Sequence, residues 1–556
     1  MDADVIVIGA GVAGLAAAHE LTRRGKKVAL VDQEGPANVG GQAFWSLGGI
    51  FLVNSPEQRR LRVRDNVELA WDDWQGSAQF DRLDDQDLWA SRWARAYVEF
   101  AAGELRPWLA GHGVRFLPTV GWAERGDLCA SGHGNSVPRF HIAWGAGPGL
   151  VAPFVNLAKQ AELNGHLRFY HRHRVDELMV NSGAAIGVRG TVLAPDTSPR
   201  GVSTNRDPQG EFELTAAAVI VAAGGIGGNE EMVRRFWPKT LGSPPKNMIT
   251  GVPAYVDGRM LDIAADAGVR LVNRDRMWHY TEGVRDWSPV WPHHAIRILP
   301  GPSPMWFDAR GRRLPEPYLP GYDTRGTLRY LRTRPDIAEY DHSWFILNQK
   351  IIEKEFALSG SEQNLDITDK SVRAVVRDRL LNTKAPRAVE AFKRHGADFV
   401  VARELGQLVA AMNRMTGEPL LDASLIRAQI EARDLQVANP FSKDAQVQGI
   451  HNSRRYAGDR LTRTAVPHRI LDPKAGPLIG VQLHIMTRKT LGGIQTDLQS
   501  RALGPDGRPI DGLYAAGEVA GFGGGGLHGY NALEGTFLGG CLFTGRTAGR
   551  AAAKAL

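Results

Sequence analysis

Val5-Ile6-Val7-Ile8-Gly9-Ala10-Gly11-Val12-Ala13-Gly14 is the stretch whose reading decides the fold. Four apolar residues in a row suit a strand buried on both faces. The glycine turn follows at once, Leu15 to Arg24 reads as a helix that Gly25 can cap, and Lys27 to Val31 reads as a second buried strand ending at Asp32. Each position has its own reason. Gly9 permits the tight turn, Gly11 lets a pyrophosphate approach the backbone, and Gly14 lets helix and strand pack closely. The backbone N–H groups of Val12 and Ala13 open the helix, so the phosphates lie at its positive end. Asp32 follows Gly9 by 23 residues, where a carboxylate accepts from ribose hydroxyls and repels a 2′-phosphate. The unit predicts a βαβ dinucleotide-binding module.

The rest of the composition is consistent with that beginning. The chain has 556 residues, 43% hydrophobic and 23% charged, which excludes disorder and fibrous classes. Its length suggests three to four domain-sized units. Its 64 glycines cluster without a triplet period, which excludes collagen. The net charge of +7 is spread in short runs, such as Arg59-Arg60-Leu61-Arg62 and His171-Arg172-His173-Arg174. That pattern reads as a solvated basic surface, and no nucleic-acid partner is expected. Two cysteines, Cys129 and Cys541, form neither a disulfide framework nor a zinc spacing. The pair His293-His294 has no acids at ligand spacing, so no metal is expected. No apolar run reaches 18 residues, and neither a signal peptide nor a membrane span is expected. A cytoplasmic location is the expectation.

Three later segments choose among dinucleotides. Gly40-Gly41-Gln42-Ala43 is a second glycine turn just beyond Asp32. Val219-Ile220-Val221-Ala222-Ala223-Gly224-Gly225 is a buried strand running into a glycine pair, and Gly512-Leu513-Tyr514-Ala515-Ala516-Gly517-Glu518 is a strand, a glycine and an acid. Together with the opening unit they resemble the FAD-dependent fumarate reductase, succinate dehydrogenase and 3-ketosteroid dehydrogenase group, closest to the ketosteroid-dehydrogenase-like flavoproteins of actinobacteria. The resemblance spans residues 4–50, 215–260 and 485–550. It implies an α/β fold, a Rossmann-like FAD-binding domain of the two-dinucleotide-binding type with an inserted α+β cap. It implies that Glu518 holds the ribityl chain and that a backbone group near Val175 meets the adenine. Some members attach FAD through a His near the second glycine turn. Gly41 to Gly49 contains none, which implies non-covalent FAD.

The middle of the chain lacks such glycine turns. The expected division is residues 1–275 and 450–556 for the FAD-binding domain and 276–449 for the cap, where Val401, Leu405, Leu408, Val409 and Met412 keep the spacing of one helix face. Gly145 to Gly149 reads as a loop before a helix near 150–163. Met305-Trp306-Phe307-Asp308-Ala309-Arg310-Gly311-Arg312-Arg313 resembles the family's hairpin, with Gly311 at the turn.

The branches of the family differ in their catalytic groups. The resemblance to the HGxNRxG motif falls on His528-Gly529-Tyr530-Asn531-Ala532-Leu533-Glu534-Gly535, with Ala532 at the Arg position, which argues against a dicarboxylate substrate. The steroid branch's PFY segment falls on Pro477-Leu478-Ile479, with Ile479 at the Tyr position, while Thr490-Leu491-Gly492-Gly493 keeps the family's TxGG turn. The expectation is a dehydrogenase of a CH–CH bond beside a ketone, acting on a small apolar ketone of the 3-ketosteroid type, with hydride passing to flavin N5 and a site base removing the proton. The alternative is a partner-fed reductase of an α,β-unsaturated acid or ketone. The candidate catalytic residues are His279 and Tyr280, Arg488 and Lys489, and His528 and Tyr530. The electron acceptor and the oligomeric state are not readable.

Overall fold

The computed structural model describes residues 1–126, 135–381 and 384–556, so Cys129 lies outside the described residues. The opening βαβ unit forms as expected. The strand Val5–Ile8 is followed by the helix Val12–Thr22 and the strand Val28–Asp32. Val5, Ile6, Val7, Leu30 and Val31 are fully buried. Each such aliphatic side chain contributes about 1.5–3 kcal/mol by leaving water. Gly25 closes the helix with its N–H on the Thr22 carbonyl at 2.9 Å.

Five parallel strands build the central part of a nine-stranded sheet. Their order is Leu167–His171, Val28–Asp32, Val5–Ile8, Ala218–Val221 and Pro509–Ala515. The chain therefore leaves this sheet after residue 221 and returns to it almost 300 residues later. The final helix, Thr536–Ala555, lies against the first helix. Gly545 and Gly549 make that contact close, since a Cβ on Gly545 would lie 2.2 Å from the Ala13 carbonyl oxygen.

The intervening chain folds around a second sheet of eight strands. Its main path runs Met305–Phe307, His342–Asn348, Leu478–Thr490, Met277–Arg285, Ala295–Pro300 and Phe356–Leu358, all antiparallel. Its 13-residue strand Leu478–Thr490 lies beyond the expected boundary at 449. Sheet pairing thus carries the insert to residue 490, because this strand's apolar face fills the second core with Trp344, Phe345 and Ile346.

Of three local expectations, two change and one holds. Val401 lies in the strand Phe399–Ala402 and is exposed, while Leu405, Leu408, Val409 and Met412 form the buried face of the helix Leu405–Thr416. The charged step Arg403-Glu404 separates the strand from the helix, and the apolar spacing ran through it. The glycine stretch 145–149 is the start of a helix, Ala146–Leu163, with Gly145 before it and Pro148 in its first turn, where a missing N–H costs nothing. Gly311 does make a tight turn, its N–H on the Asp308 carbonyl at 3.0 Å, and Arg312 and Arg313 leave it to pair with Asp308, Asp336 and Asp444.

Candidate active site

An elongated cavity runs along the carboxyl ends of the parallel strands and on into the insert, with about 1640 Å³ empty of protein atoms. Crevices at strand carboxyl ends are where open α/β sheets bind ligands.

At the end nearest the first βαβ unit, Gly9, Gly11, Val12, Ala13 and Asp32 line the wall. Gly9 has φ +102°, open only to glycine without strain, and a Cβ there would meet the Ala222 backbone. Gly11 differs, since a Cβ there would have no atom within 4 Å. The space over Gly11 is therefore part of the cavity, directly at the helix N-terminus. Gly14 lies off the cavity and does the packing assigned to it, with 1.9 Å between a would-be Cβ and the Gly9 carbonyl oxygen. The second glycine turn lies on the first: the Gly40 N–H donates to the Ala10 carbonyl at 2.8 Å, and Gly40, Gly41 and Gln42 line the cavity.

Asp32 accepts from the Ala10 N–H at 2.7 Å and the Glu34 N–H at 2.8 Å. Burial raises its pKa to about 6. Val175, Ala223 and Gly224 line the same stretch, and Gly517 and Glu518 lie midway. Glu518 accepts from the Gln42 amide at 2.5 Å and the Thr490 N–H at 2.9 Å. Lys489 donates to the Gln42 carbonyl oxygen, and its Nζ is 3.8 Å from Glu518. Burial lowers the Lys489 pKa, with Glu518 opposing.

All fourteen expected cofactor positions therefore lie along this wall, except Gly14, which supports it. A helix N-terminus under open space, an acid at the next strand end and a row of positions without side chains fit an adenine dinucleotide at this end. Asp32 and Glu34 together leave no place for a 2′-phosphate.

The far end is formed by both sheets. Tyr280, Arg297, Ser359, Arg488, Lys489 and Glu534 supply its polar part. Leu47, Ala123, Phe140 and Leu299 supply an apolar wall and pack as one small cluster. Arg297 is almost wholly buried, with its guanidinium 4.0 Å from the centre of the Tyr280 ring and 2.6 Å from the Glu534 carboxylate. Arg488 reaches the Ser359 hydroxyl at 3.4 Å. Burial raises the Tyr280 pKa above the ordinary phenol value.

Three of the six catalytic candidates, Tyr280, Arg488 and Lys489, line this end, and three are placed elsewhere. His279 neighbours Tyr280 on a strand, and successive side chains point to opposite faces. It stacks on Trp237 at 4.4 Å, neither ring nitrogen has a hydrogen-bond partner, and burial lowers its pKa to about 3. His528 is enclosed by Trp74, Phe522 and Phe537, with Nε2 at 2.8 Å from the Thr536 hydroxyl. The positive-φ turns at Gly523 to Gly526 carry the chain from Phe522 away from the cavity, and it returns only at Glu534. Tyr530 lies on that outer excursion, donating to Asp81 at 2.9 Å beneath the Arg276 guanidinium.

Sequence reading missed Arg297 and Glu534. Their signals are small but present: a lone cation inside Ala295-Ile296-Arg297-Ile298-Leu299, and an acid directly before the glycine that opens the last helix. It also separated His294 from acids that the fold brings to it. Atoms of Asp286, His294 and Glu362 capable of holding a metal lie within 4.8 Å of one another. Protein donors already reach two of them, the Val290 N–H on His294 and the Ser288 N–H and Gln363 amide on Asp286. Among the described residues no helix is long and apolar enough to cross a membrane.

Residues 4–538 match the family model described as FAD binding domain. A KsdD-like steroid dehydrogenase of Mycobacterium tuberculosis is 58% identical over 554 residues, covering 100% of this chain and 96% of its own. Another, of Mycolicibacterium smegmatis, is 59% identical over 539 residues, covering 97% of this chain and 96% of its own. Among solved structures, the 3-ketosteroid delta1-dehydrogenase of Sterolibacterium denitrificans in complex with 1,4-androstadiene-3,17-dione superposes with a TM-score of 0.68 at 16% identity, covering both chains in full. The open conformation of a flavocytochrome c3 fumarate reductase gives 0.63 at 21% identity, over 99% of this chain and 78% of its own. At these identities the likeness is one of fold.

Proposed function

The chain belongs to the FAD binding domain family, and from that premise we propose that it is an FAD-dependent dehydrogenase of a CH–CH bond beside a ketone, with a 3-ketosteroid-like substrate. One observation carries the reading: a single cavity joins the dinucleotide wall to a chamber that is apolar on one side and carries Tyr280, Arg297, Arg488 and Lys489 on the other. A flat hydrocarbon with one carbonyl needs such a two-faced chamber. The full-length likeness to steroid dehydrogenases supports the substrate class.

FAD, when bound, supplies the two-electron acceptor. Val12 and Ala13 at the helix N-terminus hold its phosphates, Asp32 its ribose, and Gln42 and Glu518 the region between. Lys489, fixed by both of those side chains, places positive charge beside the cofactor. Leu47, Phe140 and Leu299 exclude water from the substrate, which strengthens every charge effect within the chamber. Arg488 offers its guanidinium to the ketone oxygen, making the neighbouring C–H bond more acidic. Tyr280 orients the substrate from beneath, with its ring held by Arg297. Ala532, where a dicarboxylate reductase resembling this family has Arg, is buried and uncharged.

The test is anaerobic mixing of the FAD-loaded protein with a panel of 3-ketosteroids. Loss of the oxidised flavin absorbance is expected. A panel that binds and leaves the flavin oxidised rejects the reading. Arg488→Gln is expected to lower the rate of bleaching by about 10²-fold or more, the scale of a lost oxyanion donor, with FAD content unchanged.

A further inference from the structure

A dehydrogenation beside a ketone releases one proton for each hydride that leaves, and the chamber described above is lined on one side by Leu47, Ala123, Phe140 and Leu299, which offer the proton no acceptor. This inference rests on the dehydrogenase reading and concerns where that proton goes. Behind Tyr280, one cation is surrounded by three carboxylates. Arg297 lies 2.6 Å from Glu534, 3.8 Å from Glu124 and 3.8 Å from Glu282. All four side chains are buried. One guanidinium cannot balance three ionised carboxylates out of water, so the group retains a proton. Burial accordingly raises the pKa of both Glu124 and Glu282.

Two further features give this cluster a direction. Glu534 lines both the main cavity and a small second cavity behind it, and Glu124 lines the second. The wall of that second cavity carries Asn135, Asp323 and Asn531 beside Trp278, Ala532 and Leu533. Glu124 Oε2, Asn135 Oδ1 and Asn531 Oδ1, on residues of this wall, are buried with no hydrogen-bond partner among the described residues. The other Glu124 oxygen is held by the Thr324 N–H, and Oε2 lies 3.8 Å from the Arg297 guanidinium. Unpaired buried acceptors around a polar space are the usual setting of an internal water or a shared proton.

We propose that Glu534, Arg297 and Glu124 form a proton relay that takes the proton lost by the substrate out of the main cavity and stores it at the second. The C–H bond beside the carbonyl breaks, and its electron pair becomes the new C=C bond as hydride leaves the adjacent carbon for FAD. The proton passes to the Glu534 carboxylate. Arg297 stays protonated and holds Glu534 toward Glu124, and the proton moves through the second cavity to Glu124 Oε2, while Glu282 keeps the proton the cluster holds at rest. Glu534 is the catalytic member. Arg297 and Glu124 are positioning and storage residues. The charged and titratable groups facing the cluster are Tyr280 and Glu282 on one strand, Asp323 before the helix Thr324–Thr333, and Arg488 and Lys489 on the long strand.

The experiment uses the FAD-loaded full chain. Infrared difference spectra of the steroid-reduced minus the resting protein, in H2O and D2O, are expected to gain the carbonyl stretch of a protonated, deuterium-sensitive carboxyl group, a gain that Glu124→Gln removes. Absence of that gain in the unsubstituted protein overturns the relay without any variant having to fold. In anaerobic mixing with a 3-ketosteroid, Glu534→Gln is expected to slow flavin bleaching by about 10²-fold and Glu124→Gln by about 10-fold, with an altered pH profile and solvent isotope effect, while steroid affinity and FAD content hold. Unchanged rates and pH profiles in both variants overturn it as well. If no steroid bleaches the unsubstituted protein, the substrate reading fails and the relay falls with it, whereas bleaching without a gain of the carboxyl band rejects the relay alone.

Discussion

Gly11 and Gly14 stand three residues apart and are small for opposite reasons. A Cβ on Gly14 would fall 1.9 Å from the Gly9 carbonyl oxygen, whereas a Cβ on Gly11 meets nothing within 4 Å. The first glycine serves the ligand and the second serves the fold. Gly14→Ala is therefore expected to destabilise the protein with or without FAD, by at least the 1–3 kcal/mol usual for overpacking. Gly11→Ala is expected to leave the melting temperature of the FAD-free protein within about 0.5–1 kcal/mol of the unsubstituted one, as for a helix-end Gly→Ala change, while weakening FAD binding severely. Thermal melts of the stripped proteins and FAD titrations separate the two. An equal loss of FAD-free stability in both variants would show that the space over Gly11 is not the ligand's. This division of labour was legible in sequence because the fingerprint is local. Arg297 and Glu534 were not, because they meet across 237 positions, and nothing in either neighbourhood names the other.

The elements that hold the cavity open come from distant parts of the chain. The helices Val12–Thr22 and Thr536–Ala555 pack through glycine, and the Gly545 position lies 2.2 Å from the Ala13 carbonyl oxygen when a Cβ is added. Ala13 also lines the dinucleotide end of the cavity. Gly545→Val must push the two helices apart and tilt the N-terminus under the phosphates. The expected outcome is a lower melting temperature, corresponding to about 1–3 kcal/mol, together with FAD lost on gel filtration. FAD retention equal to the unsubstituted protein's would mean that the helix seam does not position the site. Periodicity gave the elements of the first sheet directly, since buried parallel strands are short apolar runs. It failed at Phe399–Ala402, where a four-residue strand and a helix share an unbroken apolar spacing. It also gave no sign that Leu478–Thr490 pairs with strands of the middle segment, because strand pairing is set by partners 130 to 213 residues away. The same alternation that makes a strand explains His279 and Tyr280: adjacent in sequence, they face different cores.

At the scale of the whole molecule, acid is the condition this fold resists least. His279 and His528 are both buried and neutral, and burial lowers each pKa to about 3 from the ordinary imidazole value of about 6.5. Above pH 6.5 both the folded and the unfolded chain hold these rings neutral, and they contribute no pH dependence. Below pH 6.5 the unfolded chain binds protons that the folded chain refuses, so stability falls as pH falls. At pH 5 the loss is about 2 kcal/mol for each ring, at about 1.4 kcal/mol per pH unit. Melting temperature is therefore expected to drop steeply from pH 6.5 toward pH 5. The two rings differ in what replaces them. His279 makes no hydrogen bond and stacks on Trp237, so His279→Phe removes a titrating group while keeping an apolar ring in place. That variant is expected to match the unsubstituted protein near pH 8 within about 1.5 kcal/mol, the range of volume-conserving core swaps, and to exceed it at pH 5, with a visibly shallower slope. His528→Phe removes an equal titration but leaves the Thr536 hydroxyl without the ring nitrogen it meets at 2.8 Å, so it should lose stability at every pH. Parallel melting curves for His279→Phe and the unsubstituted protein across pH 5 to 8 would mean that this ring stays solvated, and that its place in the core between the two sheets is wrong.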